Sequence, residues 1–157
     1  MPSIGWKNNY RETDLFEPDD MNTADLKQRI IETADEYHAI AEEQWSQAVD
    51  LEPSNDEAEF EFRRLLRAAM LYYCRACLVL AMVESDAEQE LEDLLEVVAE
   101  QDAEIDLFFR QNHVAEVLDE ESETNLSRVF AVAESLRTML LQHSNQLAAS
   151  LDARFEE

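Results

Sequence analysis

The side chains of this sequence that are best suited to acid–base chemistry are its three histidines, and one of them has an arginine nearby. His113 follows Arg110 by three residues. A histidine can act as a general acid or base, and a guanidinium group can stabilise the negative charge that develops on a phosphate during cleavage. Arg110 and His113 are therefore the candidate catalytic pair. His143 falls between Leu140 and Leu147 on an apolar stripe, which predicts a hydrogen-bonded core histidine.

Two further patterns have the spacing of metal ligands but are incomplete. Asp35 precedes His38 by three residues, whereas a di-iron helical bundle needs two Glu-x-x-His motifs and two further glutamates. Cys74 and Cys77 are spaced like zinc ligands, but no second Cys/His pair completes a zinc site. The sequence has no glycine-rich phosphate loop. We therefore expect no metal and no cofactor, and we expect both cysteines to be reduced thiols in the core.

One long segment of the sequence contains many acidic side chains and no basic one. Ten carboxylates and no basic residue lie between Asp86 and Asp106. Four of them recur at every fourth position and so share one helix face: Glu92, Glu96, Glu100 and Glu104. Each such like-charge pair destabilises a helix by about 0.2–0.5 kcal/mol. The segment has two interpretations, a solvated acidic face or a docking surface for a basic partner.

Net charge is the strongest compositional signal. The 157 residues include 37 acidic and 12 basic side chains, which gives a formal net charge of −25. Such a field repels nucleic acid and anionic lipid, so we expect no direct contact with nucleic acid or with a membrane surface. Two explanations of the acidity stay open. One is a saline host, in which acidic and lysine-poor surfaces are common, and the other is a partner protein with a basic surface.

Four of the twelve basic residues cluster in the second predicted helix. Arg64, Arg67 and Arg75 lie on one side of this helix together with Leu71, and Arg63 is adjacent. Because acidic residues surround them in such a chain, we expect these arginines to pair with carboxylates of the same chain or of a second subunit. Contact with a small anion or RNA is the alternative.

The elements that must position these residues are helices. One glycine and three prolines are too few for the turns of a β-rich fold. Apolar residues recur every three or four positions and predict a first helix at about 23–50 and a last helix at about 123–154. Capping-box patterns at Ser54/Glu57 and Ser85/Glu88 open two more, to about 84 and about 110. Short connections then favour an all-α, up-and-down bundle of about four long helices.

The chain divides into an irregular N-terminal arm at 1–21 and an acidic helical-bundle domain at 22–157. The arm either packs on the bundle through Trp6, Tyr10 and Phe16 or is partly mobile. No apolar run is long enough to span a membrane, and the first residues lack the apolar core of a signal peptide, so we expect a cytoplasmic protein. The second helix is apolar around much of its circumference near 68–83, which predicts the most buried helix and is compatible with a homodimer.

Two segments resemble the HEPN domains. Ala68-Ala-Met-Leu-Tyr-Tyr-Cys-Arg-Ala-Cys-Leu-Val-Leu is similar to their second helix, and Arg110-Gln-Asn-His113 followed by Asp119-Glu-Glu-Ser resembles their last connection. The resemblance implies a small, often dimeric helical bundle that cleaves RNA as a toxin or partners a nucleotidyltransferase antitoxin. The family's ribonuclease motif has four to six residues between its arginine and histidine, whereas this chain has two. An inactive member that works by contact is the expectation.

These observations favour a non-enzymatic, acidic interaction protein over an enzyme. It would bind or inhibit a basic, nucleic-acid-binding protein partner through Glu92, Glu96, Glu100 and Glu104, as immunity proteins, antitoxins and nucleic-acid mimics do. The alternative is a HEPN-type toxin ribonuclease, or its inactive relative, acting in a toxin–antitoxin or defence system through Arg110 and His113.

Overall fold

The computed structural model describes residues 23–155, and the predicted arm at 1–21 lies outside the described residues. Every regular element within 23–155 is a helix, which confirms the all-α prediction. The helices are α1 (Thr23–Asp50), α2 (Asp56–Leu80), α3 (Leu91–Gln101), α4 (Ala103–Gln111), α5 (Val114–Val117) and α6 (Leu126–Phe155).

Helices α1 and α2 form an antiparallel hairpin that is the largest helix–helix contact of the described chain. Trp45, near the end of α1, shares one apolar cluster with Phe62 near the start of α2. Ile30, near the start of α1, shares a second cluster with Leu80 at the end of α2. The apolar stripes of the two helices therefore meet along their whole length, as the three-to-four-residue periodicity predicts.

Helix α2 begins one residue later than the predicted capping box. The Asn55 side-chain oxygen, and not Ser54, accepts a 2.8 Å hydrogen bond from the backbone N–H of Ala58. Asparagine and serine are about equally good at this position, so the sequence alone does not decide between two adjacent residues. Three acidic residues in the first turn then complement the positive end of the helix dipole.

Helix α2 ends at Leu80, four residues before the predicted end. Met82 has a left-handed backbone with φ of 59°. Its N–H bonds the carbonyl of Val79 at 3.0 Å, and the N–H of Val83 bonds the carbonyl of Leu78 at 2.9 Å. This pair of bonds is the Schellman termination, which usually places glycine at the left-handed position. A chain with glycine only at position 5 uses methionine instead.

The second helix is the buried centre of the fold, as predicted. Every side chain from Tyr73 to Leu80 is buried, and α2 packs against α1, α3 and α6. Burial all around a helix requires partners on more than one side, and the bundle itself supplies them.

The predicted third helix at 85–110 is wrong in two respects. Ser85 opens no helix: residues 83–86 are irregular, and α3 starts only at Leu91, where the Glu90 N–H bonds the Asp93 side chain. The helix then breaks at Asp102, whose Oδ1 accepts hydrogen bonds from Glu104 N (2.9 Å) and Ile105 N (3.2 Å). Aspartate competes well for such N-terminal donors, so it ends α3 and caps α4. The bundle thus has three long helices, with short helices in place of the fourth.

The last helix, α6, returns along α2 and completes the core. Asn125 caps it, since its side-chain oxygen accepts a 2.9 Å hydrogen bond from Arg128 N. Val129, Ala133, Leu136 and Leu140 are buried in the main apolar cluster, as the predicted stripe requires. Among residues 23–155, no helix combines the length and the apolar character that crossing a membrane needs.

Candidate interaction surface

An open cleft of about 780 Å³ lies between α2, the start of α3 and α5 with the turn that follows it. Its apolar lining comes from Ala68, Leu71, Leu91 and Ala115. Six carboxylates line the rest, and they belong to Glu90, Glu92, Glu116, Asp119, Glu120 and Glu121. Two guanidinium groups, of Arg64 and Arg67, face them. The cleft therefore combines an apolar floor with a surplus of negative charge.

Both arginines of the cleft already have partners in the same chain. Arg67 Nη2 lies 2.8 Å from Oε1 of Glu92, and Arg67 Nη1 donates to the carbonyl of Leu118 at 3.1 Å. Arg64 makes a two-pronged pair with Glu61, with both bonds at 2.7 Å. These hydrogen bonds raise the pKa of Arg64 and lower that of Glu61. Pairing within the chain is confirmed for these two arginines.

The other two arginines of the cluster bind mainly backbone carbonyls and so differ from the prediction. Arg75 is buried, and its Nη2 donates to the carbonyls of Asp86 and Ala87 at 3.2 Å each. Arg63 donates to the carbonyl of Thr124. Arg75 thereby fastens the irregular connection before α3 onto α2, and Arg63 does the same for the connection before α6. Both guanidinium groups therefore stabilise the fold by binding backbone carbonyls.

The four glutamates of the predicted ladder do not share one environment. Glu92 lines the cleft and is paired with Arg67. Glu96 and Glu100 are exposed on α3 and form no ion pair with any of residues 23–155. Glu104 is also exposed but belongs to α4, beyond the break at Asp102. We call the exposed surface of α3 that carries Glu96 and Glu100 the acidic face.

Arg110 and His113 lie outside the cleft. Arg110 is 68% exposed and its Nη2 contacts Asp106 of the same helix at 2.8 Å. His113 is exposed, has a left-handed backbone with φ of 51°, and stands at the junction of α4 and α5. No hydrogen bond joins the two side chains. Both side chains are thus exposed on the described surface. Arg110 pairs within its own helix, and His113 forms the junction between two helices.

His143 is a buried, hydrogen-bonded histidine, as predicted. Its Nε2 lies 3.1 Å from Gln101 Oε1, and its Nδ1 lies 3.4 Å from Asp102 Oδ2. Burial lowers its pKa, and the carboxylate of Asp102 opposes this shift. His143 thus holds α6 against the break between α3 and α4.

The remaining candidates for metal or nucleophilic chemistry are wholly or partly buried, except for Asp35, which is exposed. His38 packs against the ring of Tyr73, its buried Nε2 has no hydrogen-bond partner among residues 23–155, and burial lowers its pKa. Cys74 and Cys77 are buried free thiols. Burial raises the pKa of Cys77 to about 12, which is the reverse of what a nucleophilic thiolate needs. Residues 23–155 contain no group of three His, Cys, Asp or Glu side chains that could hold a metal ion.

The most elaborate polar cluster of the described chain joins the three long helices, and the sequence analysis missed it. Glu42 of α1, Tyr73 of α2 and Arg137 of α6 form a closed triad. Arg137 Nη2 contacts Oε2 of Glu42 at 2.8 Å, Arg137 Nε donates to Tyr73 Oη at 2.8 Å, and Tyr73 Oη donates to Glu42 Oε1 at 2.8 Å. The guanidinium carbon also lies 5.1 Å from the centroid of the Trp45 ring. The signals in the sequence were a charged residue beside the apolar stripes of α1 and α6 and a tyrosine on the stripe of α2.

Burial and the triad's hydrogen bonds change the pKa values of all three groups. Burial raises the pKa of Tyr73 to about 12, and the hydrogen bond to Glu42 adds to this effect. For Glu42, burial acts in the opposite direction, but its hydrogen bonds to Tyr73 and Arg137 prevail and lower its pKa. The pKa of Arg137 is raised in spite of burial by the same hydrogen bonds. The triad is thus a fixed ion pair with a neutral phenol.

No family model, curated protein or solved structure matches this chain.

Proposed function

We propose that this chain is a non-enzymatic interaction protein whose acidic face binds a basic, nucleic-acid-binding protein in the cytoplasm. The observation that carries the proposal is the pair of exposed glutamates on α3, Glu96 and Glu100, which no basic side chain of residues 23–155 neutralises. A cationic partner would supply the missing charges. Proteins of the immunity, antitoxin and nucleic-acid-mimic types act in this way.

Electrostatics supports a partner that is itself charged. Of the ten carboxylates between Asp86 and Asp106, two pair with an arginine of residues 23–155, Glu92 with Arg67 and Asp106 with Arg110. The uncompensated charges repel each other, and a basic surface converts that repulsion into attraction on binding. The same field accelerates encounter with a cationic protein, and salt weakens it within a Debye length of about 8–10 Å.

The internal chemistry supports a role by contact. The thiols of Cys74 and Cys77 are buried with raised pKa values, and His143 is held by Gln101 and Asp102. Reduced, buried thiols also suit the cytoplasm, where disulfides are rare. The described lining of the large cleft contains no serine, cysteine, histidine or lysine side chain.

Affinity capture from host lysate at low and high salt tests this proposal. The wild-type chain is compared with Glu96→Lys/Glu100→Lys and with Glu43→Lys/Glu134→Lys, a control that changes the same charge at exposed positions on α1 and α6. We expect the wild type and the control to retain a basic protein at low salt and to release it at high salt. The α3 variant should retain none. Equal retention by all three proteins would contradict the proposal.

A further inference from the structure

The cleft beside α2 has a charge imbalance that the described chain does not resolve. Six carboxylates line it against two guanidinium groups, and Arg64 and Arg67 are already matched by Glu61 and Glu92. The carboxylates of Glu116, Asp119, Glu120 and Glu121 form no ion pair with residues 23–155. An occupant of this cleft must bring positive charge, and the apolar floor favours one that also brings apolar or aromatic groups.

The described body has almost no cation left to supply that charge. Residues 23–155 contain ten lysines and arginines. Nine of them already interact with other groups of the chain: Lys27, Arg29, Arg63, Arg64, Arg67, Arg75, Arg110, Arg137 and Arg154. The tenth, Arg128, is on the first turns of α6 and does not line the cleft. The remaining basic residues of the chain are Lys7 and Arg11.

Lys7 and Arg11 stand in a short stretch with the composition that the cleft requires. Residues 4–11, here called the basic segment, read Ile-Gly-Trp-Lys-Asn-Asn-Tyr-Arg, with two cations, two aromatic rings and no acid. Residues 12–22 are the opposite, with five acids and no base. The basic segment is therefore complementary to the cleft in charge and in aromatic content.

The tether is long enough to bring the basic segment to the cleft. Because α1 and α2 are antiparallel, Thr23 lies at the same end of the hairpin as Leu80. The ring of Tyr37 lies against that of Tyr72, so α1 extends past Leu80 towards Thr23. Along the helix axis, Thr23 is therefore roughly 22 Å from Leu71, the cleft residue of α2 nearest that end, at 1.5 Å per residue. The eleven residues 12–22 can span roughly 36–40 Å when extended. An extended tether therefore reaches the cleft at Leu71, and the basic segment, which is eight residues long, covers the remaining distance to the 119–121 turn.

We propose that the basic segment of the same chain binds in the cleft, with Lys7 and Arg11 among the carboxylates of Glu116 and the 119–121 turn. A tethered segment binds as an intramolecular ligand at an effective concentration in the millimolar range, so modest contacts suffice. The inference is independent of the partner proposed for the acidic face. It concerns the cleft, which meets that face at Glu92.

Trp6 provides a direct probe of this contact in the full chain. The chain has two tryptophans, and replacing Trp45 by phenylalanine leaves Trp6 as the sole emitter while keeping an aromatic ring against Phe130. In this background we expect Trp6 to emit at shorter wavelength in buffer than in urea. We also expect acrylamide, a neutral quencher, to quench it several-fold less in buffer. Equal quenching in buffer and urea would overturn the proposal.

Matched variants then locate the contact. Glu120→Lys/Glu121→Lys changes two exposed cleft carboxylates, and Lys7→Glu/Arg11→Glu changes the segment without altering the described body. Each should raise quenching towards the urea value, whereas Glu43→Lys/Glu134→Lys, at exposed positions on α1 and α6, should leave it unchanged. Circular dichroism verifies the fold of each variant. Protection that persists in folded Glu120→Lys/Glu121→Lys, or that disappears on dilution, would overturn the proposal, the second because it indicates a second copy as the ligand.

Discussion

Glutamate side chains have opposite roles in two regions of the molecule. One region is the triad of Glu42, Tyr73 and Arg137, and the other is the acidic face of α3. In the triad, one carboxylate meets a guanidinium group and a phenol at 2.8–2.9 Å and its charge is fully compensated. On the acidic face, Glu96 and Glu100 stand in solvent without a cation from residues 23–155. The comparison indicates which charges hold the fold together and which are available to a partner.

Removing the cation of the triad should have the largest effect on stability. Arg137→Ala leaves Glu42 and Tyr73 without their shared donor and removes a cation–π contact with Trp45. Hydrogen bonds to charged groups contribute about 1.5–3 kcal/mol, so we expect the free energy of unfolding to fall by about 2 kcal/mol in urea titrations. The control is Arg110→Ala, whose exposed pair with Asp106 should contribute under about 0.5 kcal/mol. Equal losses would refute the structural role of the triad.

Charge reversal on the acidic face should raise the stability of the fold. Glu96→Lys converts the repulsive pairs with Glu92 and Glu100 into attractive ones on the same helix. Each pair changes from a repulsion of about 0.2–0.5 kcal/mol to an attraction of similar size. We therefore expect the free energy of unfolding to rise by about 1 kcal/mol at low salt and by less at high salt. Denaturant titrations at two salt concentrations measure it. A loss of stability would show that Glu96 has an uncounted structural contact.

A substitution at His113 can distinguish a role of its backbone conformation from a catalytic role of its side chain. Its φ of 51° is a conformation that glycine adopts at no steric cost. We expect His113→Gly to raise the free energy of unfolding by about 0.5 kcal/mol and to leave partner capture unchanged. The alternative hypothesis of an active HEPN-type ribonuclease makes the opposite prediction, because it assigns chemistry to this side chain. An RNA-cleaving activity of the purified chain that disappears in His113→Gly would therefore favour the enzyme interpretation.

The buried histidines predict a modest pH dependence. Burial lowers the pKa of His38 and of His143 below the ordinary value of 6.5. Below pH 6.5 the unfolded chain binds more protons than the folded one, so stability should be full above 6.5 and should decline as the pH falls towards the folded pKa values. Unfolding measured in high salt, which screens the net charge of −25, should reveal this decline, and His143→Gln should make it shallower. A flat profile between pH 7 and 5.5 would contradict the assignment.

Sequence periodicity predicted the features that depend on a single helix. The first helix was predicted at 23–50 and is observed as Thr23–Asp50, and the burial of α2 and of His143 follows from the same apolar stripes. These features need only the residue pattern along one helix, because every apolar position on a stripe gains by facing the core.

Two kinds of feature were not predicted: helix breaks, where a side chain competes for backbone N–H groups, and contacts between side chains of different helices. Asp102 interrupts an apolar stripe, but only the hydrogen bonds to Glu104 and Ile105 show that it breaks the helix in two. The break removes Glu104 from the predicted ladder. The triad joins residues 31 to 95 positions apart, and its formation depends on the relative rotation and register of three helices. Likewise, the cleft exists because the 119–121 turn follows the short helix α5, for which the sequence gives little signal.

Calorimetric titration of the captured partner into the purified chain tests most directly whether the acidic face binds a basic protein. We predict that the Kd of the wild type and of Glu43→Lys/Glu134→Lys weakens steeply as salt is raised, and that Glu96→Lys/Glu100→Lys shows no measurable binding at low salt. An affinity that depends neither on salt nor on the charges at positions 96 and 100 would contradict this proposal.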